Sequence, residues 1–445
     1  MTLRAGLARG FASLRVRNYR LYWSGQVVSL IGTWMQQVSL PWLVLELGGT
    51  PFQLGLVAVG VLLPAGVLAP FGGVVADRFD KRRLMIATQL LAMAQAATIL
   101  VLILTGTIDI GLIILSAFWL GMINALDMPL RQSLAAELVP RETLPNAIAL
   151  NSMAFNSARV VGPALAGVLI AVGAGLYGSA TAGVALNLGV NAMSYLAALI
   201  GLVRMDSRGI RRHVHPRGQQ AVLESLREGV AYATRTPIVL WSLVLLGGVA
   251  AFGFNFQILL PLLASDVLRL GAEGYGALFA AFGIGALAGS LALAFMRERR
   301  AIQLMLGGGA VFALLEIGLG LSRSAWLAGA LGIGVGFSSM LMINTINATV
   351  QANVSDRLRG RVMALFVTVF AGSAPIGSLF AGAVADMAGA PEAFVIGAIL
   401  ALAVVALVAW RFSVAASAGR LGVTRIDSTG LRGEPATGAG TSAAA

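Results

Sequence analysis

Cysteine is absent from this chain of 445 residues, lysine occurs once (Lys81) and histidine twice (His213 and His215). Without cysteine there are no disulfides, thiolate metal sites or thiol chemistry. The two histidines lie in a polar segment outside every apolar run, which excludes a histidine relay within a membrane. Charge is scarce as well. Only 11% of residues are charged and 58% are hydrophobic, where a soluble domain carries about 25% charged residues. The composition is that of an integral membrane protein. No phosphate-binding GxxxxGK[ST] loop is present, so ATP hydrolysis by this chain is not expected. No span holds a cluster of nucleophile, base and metal ligands, so the chain is not read as an enzyme, and no metal or cofactor is expected. The opening MTLRAGLARGFASLRVRNYR is basic but lacks the separate apolar core and cleavage site of a signal peptide.

What the chain has is apolar runs of membrane length. About 20 apolar residues span a hydrocarbon core of about 30 Å. Twelve such runs are expected at 21–45, 52–76, 84–106, 110–129, 147–172, 178–203, 238–263, 274–296, 301–321, 324–346, 360–385 and 392–411. With the N-terminus on the cytoplasmic side, 28 of the 31 basic residues fall in cytoplasmic segments. The exceptions are Arg269 and Arg323 outside and Arg159 within a span. That bias follows the positive-inside rule and supports an even number of spans with both termini in the cytoplasm. It also gives the sequence pI of about 11.2 a simpler cause than a nucleic-acid partner. The expected organisation is a basic tail (1–20), a first six-helix bundle (21–203), a linker (204–237), a second bundle (238–412) and a disordered tail (413–445). Within the linker, Val222, Leu226 and Val230 recur at helical spacing, as in a short helix lying along the membrane surface.

The halves repeat each other in outline. QSLAAELVPRETLPNAIALNS (from Gln132) leads to GPALAG at Gly162, and QANVSDRLRGRVMALFVT (from Gln351) leads to APIGSLFAG at Ala374. The densest charge lies in GGVVADRFDKRR, from Gly72 to Arg83, between the second and third runs. Gly73, Asp77, Arg78, Lys81 and Arg82 of that stretch match a signature of the major facilitator superfamily, G-x-x-x-D-R/K-x-G-R/K-R/K. Asp80 stands where the signature has glycine. ARVVGPALAG resembles the fifth-helix signature of the antiporter branch through Gly162, Pro163 and Gly167. The chain thus resembles the superfamily over residues 15–412, and within it the bacterial enterobactin-exporter and macrolide-efflux branch. The resemblance implies an all-α fold of twelve transmembrane helices in two six-helix bundles around a central cavity. It implies alternating access by rocking of the bundles around a midplane site. A single copy would carry a small molecule across the bacterial inner membrane, in exchange for protons. Export of an amphiphile is the leading expectation; import or facilitation of a small metabolite is the alternative.

Several residues are candidates for the mechanism. In the signature loop, the basic residues serve topology alone on one reading. On the other, Asp77 faces the positive N-terminus of the eleventh helix, while Arg78, Lys81 and Arg82 pair with acids, Asp127 first among them. Such a latch closes the cytoplasmic side and is one-sided, because MRERR (296–300) has no matching Asp. Asp77→Asn is then expected to abolish transport at normal expression; normal transport by that variant removes the latch. Arg159, about 18 Å up the fifth helix, is a hydrogen-bonding hub near Pro163 or an anchor for an anionic substrate, or a partner that tunes a proton-binding acid. Glu316 is expected to be neutral or to reach outward, and Glu46 is a shallower acid. Asp127, Asp77 and Glu46 are the candidate proton carriers. Cavity candidates are Thr33, Gln36, Trp119, Asn124, Asn255, Asn344 and Asn347. Each amide serves equally well as a helix–helix bond. Taken together with Trp34 and Phe256, a neutral amide lining suits a large, weakly polar compound.

Overall fold

The computed structural model describes residues 10–206, 220–296, 298–299, 301–417 and 426–427. The first bundle consists of α1 (Arg17–Glu46), α2 (Pro51–Arg78), α3 (Lys81–Leu104), α4 (Ile110–Glu137), α5 (Leu144–Tyr177) and α6 (Ala180–Val203). A shorter helix, α7 (Gln220–Arg235), leads into the second bundle. There the seventh span is broken into α8 (Pro237–Gly253) and α9 (Phe256–Leu262), the latter continuing through a π-turn to Val267. It is followed by α10 (Ala272–Phe295), α11 (Ala301–Leu321), α12 (Ala325–Ala352), α13 (Asp356–Ala388) and α14 (Ala390–Ser417). α14 therefore runs five residues past the expected start of the tail; the tail otherwise lies outside the described residues.

Local chemistry sets the helix ends. Pro51 opens α2 behind a reciprocal cap in which the Gln53 N–H donates to Thr50 Oγ1 and the Thr50 N–H donates to Gln53 Oε1 at 2.8 Å. Asp109 and Ser179 cap α4 and α6. Asp80 does the same for α3, accepting the Arg83 N–H at 3.0 Å. Its φ of −66° needs no glycine, so the departure from the signature supplies a helix cap and leaves the turn unstrained.

Eleven of these helices are long and apolar enough to cross a membrane by composition alone. The twelfth spanning helix, α1, is more polar because it turns Gln26, Ser29, Gln36 and Ser39 into the first bundle, where all four are buried. The chain is a multi-pass membrane protein with the twelve-helix fold expected. Helices approach closely where glycine removes the side chain. A Cβ at Gly285 or Gly289 of α10 would collide with the α12 carbonyls of Ile333 or Phe337, and one at Gly121 of α4 would stand 2.5 Å from the Val61 carbonyl of α2. The α2–α4 and α10–α12 pairs are equivalent in the two halves, so the duplication survives in packing where the residues have diverged.

The C-terminal ends of α2, α4, α6, α10 and α12 lie on one side, here termed the basic face. The bundles meet through two equivalent pairs, α5–α10 and α2–α13. A Cβ at Gly276 would lie 2.5 Å from the Pro163 carbonyl, and one at Gly167 would lie 2.7 Å from that of Ala272. Across the other pair, a Cβ at Gly55 would lie 2.7 Å from the Ser378 carbonyl, and one at Gly382 would lie 3.0 Å from that of Pro51. All of these residues belong to the halves of the helices away from the basic face. The hydrogen bond between the bundles, Gln257 Nε2 to Gln37 Oε1 at 3.1 Å, lies there too. The ion pairs Lys81–Glu137 and Asp127–Arg131 each lie within the first bundle, and Arg359–Asp356 lies within the second.

Candidate functional site: a polar first bundle, an aromatic seal and two unpaired charges

The signature loop is anchored in a different way from that expected. Of Gly73 and Asp77 only the helical backbone is described. Arg78 is exposed. Lys81 forms an ion pair with Glu137, at the last turn of α4, and both side chains are nearly buried. Arg82 donates from Nε to the Leu202 carbonyl and from Nη2 to that of Val203, each at 2.7 Å, so it holds the unsatisfied C-terminal carbonyls of α6. Asp127 is therefore not the loop's partner in this conformation.

Asp127 belongs to the centre of the first bundle. It pairs with Arg131 one turn later and accepts from Thr88 Oγ1 and Gln89 Nε2, both at 2.9 Å. Arg131 also donates to Gln26 of α1, and Ser29 donates to Gln89 at 3.1 Å. Sequence reasoning ended the fourth span at 129 and so left Arg131 and Glu137 in a loop. The helix runs through Pro129 to Glu137. The i, i+4 spacing of Asp127 and Arg131 is the signal that could have placed them together.

The candidate cavity amides are mostly spent within their own bundles. Gln36 donates to Gln95 Oε1 at 3.0 Å and accepts from Asn191 at 2.5 Å, buried between α1, α3 and α6. Thr33 donates to the Ser29 carbonyl at 2.9 Å. Asn255 sits at the α8–α9 break and donates to the Ala251 and Phe252 carbonyls at 3.1 and 3.3 Å. Asn344 donates to Ser290 at 3.1 Å, which ties α12 to α10, and Asn347 accepts from Gln351 at 2.6 Å. Asn124 is half-buried on α4. Trp119 is 46% exposed, two residues from buried Ala117 and so on the other side of α4 from it, away from the bundle interior. Gln36 and Asn255, buried and bonded within their own bundles, are therefore not what lines the space between them. Gln37, adjacent to Gln36 and on another face, is the glutamine that reaches across.

What does lie there is aromatic. Trp34 of α1 packs edge-on to Phe155 of α5 with centroids 5.5 Å apart, and its ring is 6.3 Å from Phe279 of α10. Trp42 stacks on Tyr275 at 6.1 Å. Gly162 is needed because a Cβ there would stand 2.5 Å from Trp34 Cβ. Arg159 extends into this layer. Its guanidinium carbon is 4.8 Å from the Phe282 ring centroid and 5.8 Å from that of Trp34. Its Nε is buried without a hydrogen-bond partner.

The second isolated charge is Glu316 on α11. Rather than reaching outward, it is 1% exposed, and its Oε2 has no partner. A Cβ at Gly253, the last residue of α8, would lie 3.1 Å from that oxygen. One turn earlier, Phe312 stacks on Phe254 at 5.1 Å. The acid thus faces the break in the seventh span. Its neighbourhood follows from that break, which lies between Gly253 and Phe256 within the apolar run 238–263. Glu46 is exposed at the end of α1.

A sequence profile of a family described as transmembrane secretion effectors matches residues 8–421. The chain is 25% identical to the staphyloferrin A transporter of Staphylococcus aureus, across 84% of this chain and 91% of that protein. It is 26% identical to the multidrug efflux pump Tap of Mycolicibacterium fortuitum, across 80% and 86%. With the enterobactin exporter EntS of Salmonella typhimurium identity is 24%, across 81% and 85%. In fold it resembles the POT family transporter PepTSo, with a TM-score of 0.70, 11% identity and coverage of 90% and 99%. A bacterial homologue of the lysosomal transporter Spinster gives a TM-score of 0.65, with 14% identity and coverage of 91% and 95%.

Proposed function

Because the chain belongs to the transmembrane secretion effector family of major facilitator transporters, we propose that it is a proton-coupled exporter of amphiphilic small molecules, loading from the cytoplasm. It is a membrane transporter and not an enzyme. One observation carries the direction of loading: the tightest backbone contacts between the bundles, Gly276–Pro163, Gly167–Ala272, Gly55–Ser378 and Gly382–Pro51, lie in the halves of α2, α5, α10 and α13 away from the basic face. Positive-inside topology makes that face cytoplasmic and puts both termini there. A cavity open to the cytoplasm receives cargo made or accumulated inside the cell. Siderophore and drug exporters among the relatives support the same direction.

Proton exchange is supported by Glu316. A carboxylate buried without a partner is costly, and taking up a proton removes the cost. Asp127, by contrast, is already held by Arg131, Thr88 and Gln89. Exposed Glu46 is too far into solvent to meet a barrier. Glu316 touches the α8–α9 break, so its charge state bears on a joint in the bundle that must rock.

Cells overproducing the protein and loaded with a fluorescent amphiphile are expected to lose it faster than control cells. A protonophore is expected to remove the difference. Faster uptake than in control cells would instead make the protein an importer, and protonophore-insensitive loss would end the proton-coupled reading.

A further inference from the structure

We propose that Arg159 and the rings of Trp34, Phe155, Phe279 and Phe282 form a binding site for the anionic head of an aromatic substrate, at the closed end of the space between the bundles. This deepens the export reading and rests on the inter-bundle space being the transport cavity. The α5–α10 contacts run from Gly167 through Pro163 to Arg159, whose carbonyl would lie 3.2 Å from a Cβ at Gly283. Arg159 stands at the basic-face end of that row.

Three observations point to an anion. First, the charge is near mid-membrane, where an arginine is retained for a partner or a function. No acid is paired with it among the described residues, and its Nε is buried without an acceptor. Second, its present contacts are ring faces from both bundles, Trp34 and Phe282. Cation–π contact offsets part of the lost hydration but uses none of the five N–H donors of a guanidinium. Those donors are arranged as a fork that fits a carboxylate. Third, the neutral amides Gln36, Asn255 and Asn344 are hydrogen-bonded within their own bundles. The rings beside Arg159 favour an aromatic body on the anion. Two further buried donors without partners, Tyr275 Oη and Trp42 Nε1, follow along the same layer toward the opposite face. They mark where the polar groups of a moving substrate meet partners as the seal opens.

The test uses purified protein in lipid nanodiscs and three probes on one aromatic body: naphthoate, naphthamide and naphthyltrimethylammonium. Wild type is expected to bind naphthoate at least about tenfold more tightly than naphthamide, the size of a charge-assisted contact, and the cation most weakly. R159Q is expected to bring the naphthoate-to-naphthamide ratio to about one while naphthamide binding persists. R159K, which keeps the charge without the fork, is expected to lower the ratio severalfold and serves if R159Q does not fold. Equal binding of the probes by wild type, no saturable naphthoate binding, or the wild-type ratio in a folded variant would overturn the proposal. No gradient is involved, so an error in export direction leaves these ratios intact and shows only in flux.

Discussion

Arg131→Ala is expected to destabilise the folded protein by about 3 kcal/mol, the usual cost of leaving one member of a buried ion pair alone. For a chain of this size that lowers the unfolding midpoint by roughly 3 °C. The reason is local. Asp127 is buried at the centre of α1, α3 and α4, and Arg131 is its only ionic partner among the described residues. Thr88 and Gln89 still donate to the carboxylate in the variant, but they do not neutralise it. Gln26 also loses the donor that ties α1 to α4. Asp127→Asn combined with Arg131→Gln is expected to recover most of the loss, because an amide pair restores hydrogen bonding with no charge to bury. Thermal unfolding in detergent, with Asp127→Asn and Arg131→Gln alone and together, measures the coupling directly. Additive losses would mean that Asp127 and Arg131 do not depend on each other.

Gly276→Leu carries the second large expectation, this time for conformation. Gly276 of α10 meets the Pro163 carbonyl and Gly167 of α5 so closely that a Cβ would stand 2.5 Å from the former and 3.0 Å from Gly167 Cα. A leucine there wedges the two bundles apart on the side where they are sealed. Overpacking costs about 1–3 kcal/mol, and here it falls on the state closed at that side. The population should shift toward the opposite state by about 5- to 150-fold. Transport needs both states and should fall by a similar factor, with insertion unaffected. The native chain lacks cysteine, so spin labels can be placed without background at exposed Arg141 and Arg357, one in each bundle on the basic face. Their separation should shorten in Gly276→Leu. An unchanged separation would show that the α5–α10 contact does not set the state.

Much of the architecture was legible because the membrane enforces a simple code. Apolar length gives the spans, and one-sided arginine gives their alternation. The site was less legible, for reasons visible in single residues. Helix four reads as ending near Pro129, yet a proline within a helix is tolerated when neighbouring helices support it. Arg131 and Glu137 were lost with that last stretch. Gln36 and Gln37 read as equivalent polar residues; the rotation of about 100° between neighbours in a helix sends the first into the bundle and the second across to Gln257. Trp119 reads as a cavity aromatic, but only the packing of α4 reveals which way it points. Glu316 reads as neutral or outward-reaching because the sequence does not show that it faces the break at Gly253. In each case the residue type was informative about chemistry and silent about azimuth, which is set by contacts far away in sequence.

The signature loop has also acquired a more specific meaning. Its charges are divided among three tasks: Asp80 caps α3, Lys81 pairs with the end of α4, and Arg82 holds the end of α6. The loop therefore binds the basic-face ends of α3, α4 and α6 into one unit, which suits a bundle that moves as a rigid body.

Flux in membrane vesicles of defined sidedness tests cytoplasmic loading most directly. Everted vesicles expose the basic face to the medium. With an inward-acid gradient imposed, they should accumulate a fluorescent amphiphile well above vesicles lacking the protein, and a protonophore should abolish the difference. Accumulation confined to right-side-out vesicles, with none in everted ones, would contradict export from the cytoplasm.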